Sequence, residues 1–292
     1  MKTNIQFVKH KKIFFLIAAA FILVGIVSMC IRGFYWDVDF AGGTEITYHV
    51  DGMDAKAETA NFEKLAREVL GDKINVAQQA GDSDVIIKSL ELDETERADL
   101  LAKISENYTD VKVVGFDSVS GSVSKDLRSS AIISAVVAIA LMLIYITVRF
   151  QFSSALAAVV CLCHDMFIVL TFYSLFQIPV SSNVIAVLLT ILGYSINATI
   201  IIFDRVRENV KTVRNATFEE KVNVSINQTL MRSVNTTITT LLTIGMIYIF
   251  GVQSIREFAF PLIVGIVAGL YSSVCLAGSL WTIFKKKNTR VK

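Results

Sequence analysis

The stretch Ile13 to Ile31, IFFLIAAAFILVGIVSMCI, runs for 19 residues without a charge. At about 1.5 Å per helical residue it comes close to spanning the ~30 Å hydrocarbon layer of a bilayer. Lys2, Lys9, Lys11 and Lys12 precede it and Arg32 follows. A basic start before an apolar run is also the layout of a signal peptide. Cys30-Ile31-Arg32 offers no small-x-small cleavage pattern, however, so the run reads as a retained membrane helix.

Working outward, five more apolar runs reach or approach spanning length: Ala131 to Val148, Leu156 to Phe176, Val184 to Phe203, Thr236 to Val252 and Ala259 to Phe284. The whole chain agrees with them. Its 292 residues are 53% hydrophobic and 18% charged, with a mean hydropathy of +0.57. Those values exclude an ordinary soluble domain and make lipid part of the solvent.

The net charge of +2 hides two electrically different parts. Residues 33–130 hold 20 acidic against 10 basic residues, a net of −10, which leaves 6 acidic and 18 basic residues elsewhere, a net of +12. Lys and Arg near helix ends favour the cytoplasm. Residues 1–12, the turn at Arg149, the loop 204–235 and the tail 285–292 carry the bases and are read as cytoplasmic. The acidic segment 33–130 then lies outside, and both termini lie inside. The cysteines Cys30, Cys161, Cys163 and Cys275 all fall in or beside apolar runs, so no disulfide framework is implied. Cys161 and Cys163 stand about 200° apart on a helix and cannot share a metal.

The outer segment changes period along its length. Ile46, Tyr48 and Val50 alternate as a strand, and Phe62, Leu65, Ala66 and Val69 mark one face of a helix. Ile74 with Val76, then Val85 to Ile87, give two more strands. Asp93 and Glu96 open a second helix through a capping box, continued by Leu101, Ile104 and Tyr108. Val111, Val113 and Phe116 close the set. The order β-α-β-β-α-β predicts a ferredoxin-like α+β sandwich. His49 beside Asp51 is the only histidine in it, and no catalytic constellation stands out.

Several motifs fit a known family. Asp39-Phe40-Ala41-Gly42-Gly43-Thr44, directly after the first membrane helix, resembles the D-F-x-G-G-T signature of SecD and SecF proteins, subunits of a protein-export complex. Val119-Ser120-Gly121-Ser122-Val123-Ser124-Lys125-Asp126-Leu127 is similar to the family's V-G-P-S-V-G-x-x-L segment, with departures at Ser120, Gly121 and Ser124; its small residues suggest a hinge. His164-Asp165, the run from Gly193-Tyr194-Ser195 through Asn197 to Asp204-Arg205-Val206-Arg207-Glu208-Asn209, and Gln228-Thr229-Leu230-Met231-Arg232 resemble the SecF patterns H-D, G-Y-S-x-N-D…D-R-x-R-E-N and Q-T-L-x-R. The expected architecture is a polytopic α-helical membrane protein of six transmembrane helices with an extracytoplasmic ferredoxin-like domain. Its boundaries are 13–31 for the first helix, 33–130 for the domain and 131–284 for the five-helix membrane part.

What the resemblance implies is an auxiliary, non-enzymatic translocase subunit in a bacterial plasma membrane. It would pair with SecD in a unit of the resistance-nodulation-division type, beside the SecYEG translocon and accessory proteins of the YidC and YajC type. It would act on unfolded preprotein with the proton-motive force or another ion gradient. No cofactor, metal or nucleic acid enters this reading. An exporter half for small molecules or lipids and a passive scaffold for SecD are the alternatives.

Asp165 sits near the middle of its apolar run, where an ionised carboxylate costs roughly 2.5–3.5 kcal/mol on insertion scales. It is either a structural polar anchor, paired with Asn197 or His164, or the group that carries the coupling ion. The family's principal membrane acid follows the Asn of G-Y-S-x-N-D, and here that position is Ala198. Alanine does not titrate. The acid of a proton relay then comes from Asp165, from the matching helix of a SecD partner, or from nowhere in this subunit; the coupling candidates in this chain are Asp165, Asn197 and Arg232, the last equally a positive-inside anchor. Thr217 and Glu220 predict a capping box, and Phe218, Val222, Ile226 and Leu230 an interfacial helix lying on the membrane or a partner. Asn215-Ala216-Thr217 matches a glycosylation sequon on the inner side, and Gly265-x-x-x-Gly269 permits close helix contact.

Overall fold

The structure, a computed structural model, describes residues 5–289. Lys2, Arg290 and Lys292, counted above among the flanking bases, lie outside the described residues. Helix α1 (Lys11–Arg32) is followed by a single-turn helix α2 (Val38–Ala41) and then by the small domain. The domain comprises β1 (Gly43–His49), α3 (Ala55–Leu70), β2 (Ile74–Gln79), β3 (Asp84–Ser89), α4 (Glu94–Asn107) and β4 (Lys112–Val119). Its sheet has the order β2-β3-β1-β4 with every neighbouring pair antiparallel, which is the ferredoxin-like arrangement that the alternating periods predict.

The α3 and α4 helices cover one face of this sheet. Tyr48, Phe62, Val85, Leu100 and Ile104 are fully buried between the layers. Asp54 caps α3, and Asp93 and Glu96 form the predicted capping box of α4.

Five long helical stretches follow: α5 (Gly121–Arg149), α6 (Phe152–Phe176), α7 (Asn183–Thr212), α8 (Phe218–Phe250), and a last span. That span comprises α9 (Gln253–Tyr271), a π-helical turn at Ser272–Ala277, and α10 (Gly278–Thr289). With α1, six helices among the described residues are long and apolar enough to cross a membrane.

The stretch 204–235 differs from its reading as a loop with a separate interfacial helix. Helix α7 continues to Thr212, and α8 is unbroken for 33 residues from Phe218 into the membrane span. The capping box of Thr217 and Glu220 does start α8. Its apolar stripe faces the protein's own bundle. Val222 and Ile226 are buried, a Cβ added at Gly278 would stand 2.8 Å from Val222, and the Phe218 ring lies 5.4 Å from that of Trp281. Intramolecular packing has taken the stripe that amphipathicity assigned to a surface.

Two apolar layers hold the bundle. One, distal to the domain, gathers Ile146, Phe203, Val206, Val222 and Trp281. The other, at the domain end, gathers Val169, Tyr173, Val184, Ile191 and Leu262 around Phe40. The aromatic residue of the D-F-A-G-G-T motif is thus a plug between domain and bundle. Gly265 and Gly269 bring α9 against α7: an added Cβ at Gly265 would lie 2.2 Å from Ile191, and one at Gly269 3.1 Å from Ser195.

Candidate functional site

The contact between α6, α7 and the last span positions Asp165. This carboxylate has 0% exposure and takes three polar neighbours. Its Oδ2 accepts hydrogen bonds from Ser195 Oγ at 2.6 Å and Ser272 Oγ at 2.7 Å. Its Oδ1 lies 3.0 Å from His164 Nδ1. The hydroxyl cluster continues beyond the acid. Thr199 Oγ1 and Ser273 Oγ are 2.9 Å apart, and Ser273 Oγ donates to the Ser195 carbonyl at 3.4 Å.

Local structure explains why these groups converge. Ser195 and Thr199 are four residues apart and share one face of α7. Consecutive residues of an α-helix diverge by about 100°, which would carry Ser272 and Ser273 apart. The wide π turn at Ser272–Ala277 sets Ser272 toward Asp165 and Ser273 toward Thr199. Such turns are rare and concentrate at functional sites.

The structure corrects the pairing of Asp165 with Asn197. Asn197 is exposed, two residues and about 200° round α7 from Ser195, and Ser195 holds the acid instead. Arg232 is exposed too, and its side chain has no hydrogen-bond or ion-pair partner among the described residues. Asn197 and Arg232 therefore sit outside the Asp165 cluster. Ser272, Ser273 and Thr199 are the members that sequence reasoning missed; the one available signal was the Ser272-Ser273 pair inside an apolar run.

The other motif residues have structural partners. Tyr194 donates to Thr237 at 3.2 Å, and Asp204 pairs with Arg149 at 3.6 Å. Arg205 bonds Glu208 at 2.6 Å and Gln228 at 2.5 Å, while Asn209 donates to both Gln228 and Ser225. The D-R-x-R-E-N and Q-T-L segments are thus two sides of one α7–α8 network. Gly193 is exposed, with nothing within 4 Å of an added Cβ.

At the domain end, the first motif works as a clasp. Asp39 Oδ2 accepts the backbone N–H of Ser182 at 2.7 Å, at the start of α7. Gly42 and Gly43 take φ of +80° and +140°, and a Cβ at Gly43 would stand 2.2 Å from the Ser89 carbonyl oxygen. Thr44 Oγ1 accepts the N–H of Leu92 at 3.1 Å. Lys88, only 5% exposed, reaches Asp37 at 2.6 Å and Glu45 at 3.1 Å. Burial opposes its charge, but the Asp37 and Glu45 carboxylates outweigh that and hold the ammonium well above the usual lysine range. Arg128 of α5 donates to the Phe40 carbonyl and lies over the Trp36 ring. The suggested hinge is a direct strand-to-helix step, since β4 ends at Val119 and α5 opens at Gly121.

Among the described residues no group of three His, Cys, Asp or Glu side chains is arranged to hold a metal. Cys161 is buried and Cys163 exposed, on different faces of α6. The chain is a polytopic membrane protein with six spans among the described residues, three of which hold a buried carboxylate, and its ferredoxin-like domain is clasped to one end of the bundle. The family model "Protein export membrane protein SecD/SecF, C-terminal" matches residues 99–287. The protein translocase subunit SecF of Acidaminococcus fermentans is 39% identical over 97% of this chain and 98% of its own. The SecDF translocase subunit of Bacillus subtilis is 32% identical over 98% of this chain, which spans 39% of that longer protein. The crystal structure of SecDF from Thermus thermophilus, a translocon-associated membrane protein, superposes with a TM-score of 0.86 at 30% identity, covering 97% of this chain and 39% of that one. The chain belongs to the SecF family of protein translocase subunits.

Proposed function

We propose that this chain is the SecF subunit of a SecD–SecF pair that assists preprotein export beside SecYEG, driven by an ion gradient, with Asp165 as the ion-carrying group. The single observation that carries the ion role is a fully buried carboxylate ringed by hydroxyls from two other helices. Oδ2 is held by two donated hydrogen bonds, so the ion exchanges at Oδ1, which faces His164 Nδ1. A proton there passes between carboxylate and imidazole over a hydrogen-bond distance.

Movement of the π turn couples this site to the domain. Ser272 contacts Asp165 directly, and α9 packs on α7, whose start is capped by Asp39. Loading or unloading Asp165 changes what Ser272 bonds to, and the last span and the clasp respond. This is the two-state element that coupling requires.

SecD is the partner because relatives carry both subunits in one chain. Its contact face is assigned to α5 and α8, the spans with the smallest buried share, together with exposed Asn197 and Arg232. The orientation has the domain outside and both ends cytoplasmic. Its support is the distribution of bases: Arg149, Arg205, Arg207, Lys211 and Lys221 lie at the bundle end away from the domain. The role is non-enzymatic. A second reading, a scaffold that only stabilises SecD, rests on Ala198 at the family's acid position.

The test reconstitutes this chain with SecD and SecYEG in vesicles and follows preprotein export. Export rising with an imposed gradient only when this chain is present supports the proposal. An equal rise without the chain contradicts it.

A further inference from the structure

Four bases from three helices line one cavity at the bundle end away from the domain. Arg149 closes α5, Arg207 and Lys211 share a face of α7 four residues apart, and Lys285 belongs to α10. The cavity measures about 360 Å³, and no Asp or Glu lines it. Asp204 pairs with Arg149 at 3.6 Å from outside this lining. Arg207 and Lys211 have no ion-pair partner among the described residues. Like charges at this helical spacing repel, a cost that an anion in the cavity removes.

The opposite wall is aromatic and held in place. Trp281, only 4% exposed, donates from Nε1 to Ser153 Oγ at 3.2 Å and has Phe203 and Phe218 at 4.8 Å and 5.4 Å between ring centroids. Lys285 Nζ lies 3.7 Å from the centroid of the Phe218 ring, which fixes the ammonium against that wall. A site built this way needs little ordering when a ligand arrives.

Depth selects the ligand. The uncharged run of α5 ends at Val148 and that of the last span at Phe284, one residue before Arg149 and Lys285. These bases therefore stand where hydrocarbon gives way to the phosphate layer, and Val148, a lining residue with 83% exposure, lies at the hydrocarbon edge. A free phosphate satisfies the bases alone, and an acidic protein segment gains nothing from the hydrocarbon edge. A phospholipid matches both, with its phosphate in an arginine fork and its chains in the bilayer. Choline and ethanolamine headgroups carry a cation of their own into a ring of bases, so the fit is to a headgroup without one.

We propose that this cavity binds the headgroup of an anionic phospholipid of the phosphatidylglycerol type, its phosphate between Arg207, Lys211 and Lys285 and its acyl chains leaving past Val148. The proposal holds whether or not Asp165 carries an ion.

The purified full chain in maltoside micelles is titrated with radiolabelled phosphatidylglycerol and with phosphatidylcholine of the same acyl chains. The expected result is saturable binding of about one phosphatidylglycerol per chain, at least about tenfold tighter than phosphatidylcholine. Arg207→Gln combined with Lys211→Gln weakens it about tenfold or more, and so does Val210→Glu, which sets an acid at the exposed rim. Lys9→Gln combined with Lys12→Gln, removing exposed bases around the start of α1, leaves it unchanged. Glycerophosphoglycerol, the headgroup without chains, competes at least about a hundredfold less well than the lipid. Equal binding of the two lipids, binding that survives the cavity variants, an equal loss in the Lys9 and Lys12 variant, or competition by the chain-free headgroup as strong as the lipid's overturns the assignment. If one cavity variant does not fold, the other decides.

Discussion

Ser272 Oγ donates to Asp165 Oδ2 across 2.7 Å, joining the π turn of the last span to the centre of α6. Ser195 shares the same oxygen from α7. Ser272→Ala and Ser195→Ala should each destabilise the folded protein by about 1–3 kcal/mol, as for a buried group losing a hydrogen-bond partner. The double variant should depart from additivity, because both hydroxyls serve one oxygen. Unfolding of the purified protein, followed by circular dichroism, measures all three.

The Lys88 ion pairs predict a different weakness. Lys88→Met leaves Asp37 and Glu45 without their buried counter-charge, a loss of roughly 3–5 kcal/mol for a broken buried pair. The damage should concentrate where the domain meets the bundle, seen as faster amide exchange around residues 34–45 and 180–183. Lys88→Arg should keep most of the protection.

Two motif glycines should behave oppositely. Gly43→Ala places a Cβ 2.2 Å from the Ser89 carbonyl in a backbone conformation that other residues avoid, so the domain should lose thermal stability. Gly193→Ala meets nothing within 4 Å inside a regular helix and should stabilise the isolated chain by up to about 1 kcal/mol. Under the proposed pairing it should weaken co-purification with SecD, because Gly193 lies on an exposed face.

His49 gives the domain a pH dependence. Hydrogen bonds to Asp84 at 2.5 Å and Asp51 at 3.0 Å raise its basicity above the ordinary histidine value, while Lys112 and His49 lower that of Asp51. The His49 contribution is fully present below its unfolded value near 6.5 and is lost as pH rises through the raised folded value. The Asp51 contribution is present above about 3.9 and lost on acidification. Exchange protection of β1 and β3, corrected for intrinsic rates, should fall as pH rises above about 6.5. His49→Gln should flatten that fall.

Much of this was legible because lipid and period leave few choices. Uncharged runs of spanning length name their helices, and the switch from period two to 3.6 orders the domain. Asp165 stood out because an acid in hydrocarbon needs an explanation. Its partners did not, since Ser195 and Asn197 differ only by helical phase, and phase against a distant helix is a tertiary quantity. The π turn has no simple signature, so nothing in the sequence assigns Ser272 and Ser273 to the Asp165 cluster. The stripe of α8 was legible as an apolar face, but its cover, Trp281 and Gly278, lies more than fifty residues on. Lys88 carries no signal in the sequence, because its counter-charge Asp37 lies 51 residues before it.

The most direct measurement compares gradient-driven preprotein export for wild type, Asp165→Asn and Ala198→Asp in vesicles that contain SecD and SecYEG. Asp165→Asn preserves shape and hydrogen bonding but cannot exchange a proton. The account predicts that export without a gradient is unchanged, that the gradient-dependent increment falls at least about tenfold in Asp165→Asn, and that Ala198→Asp does not reduce it. An undiminished increment in Asp165→Asn would contradict the central claim and leave this subunit as a scaffold.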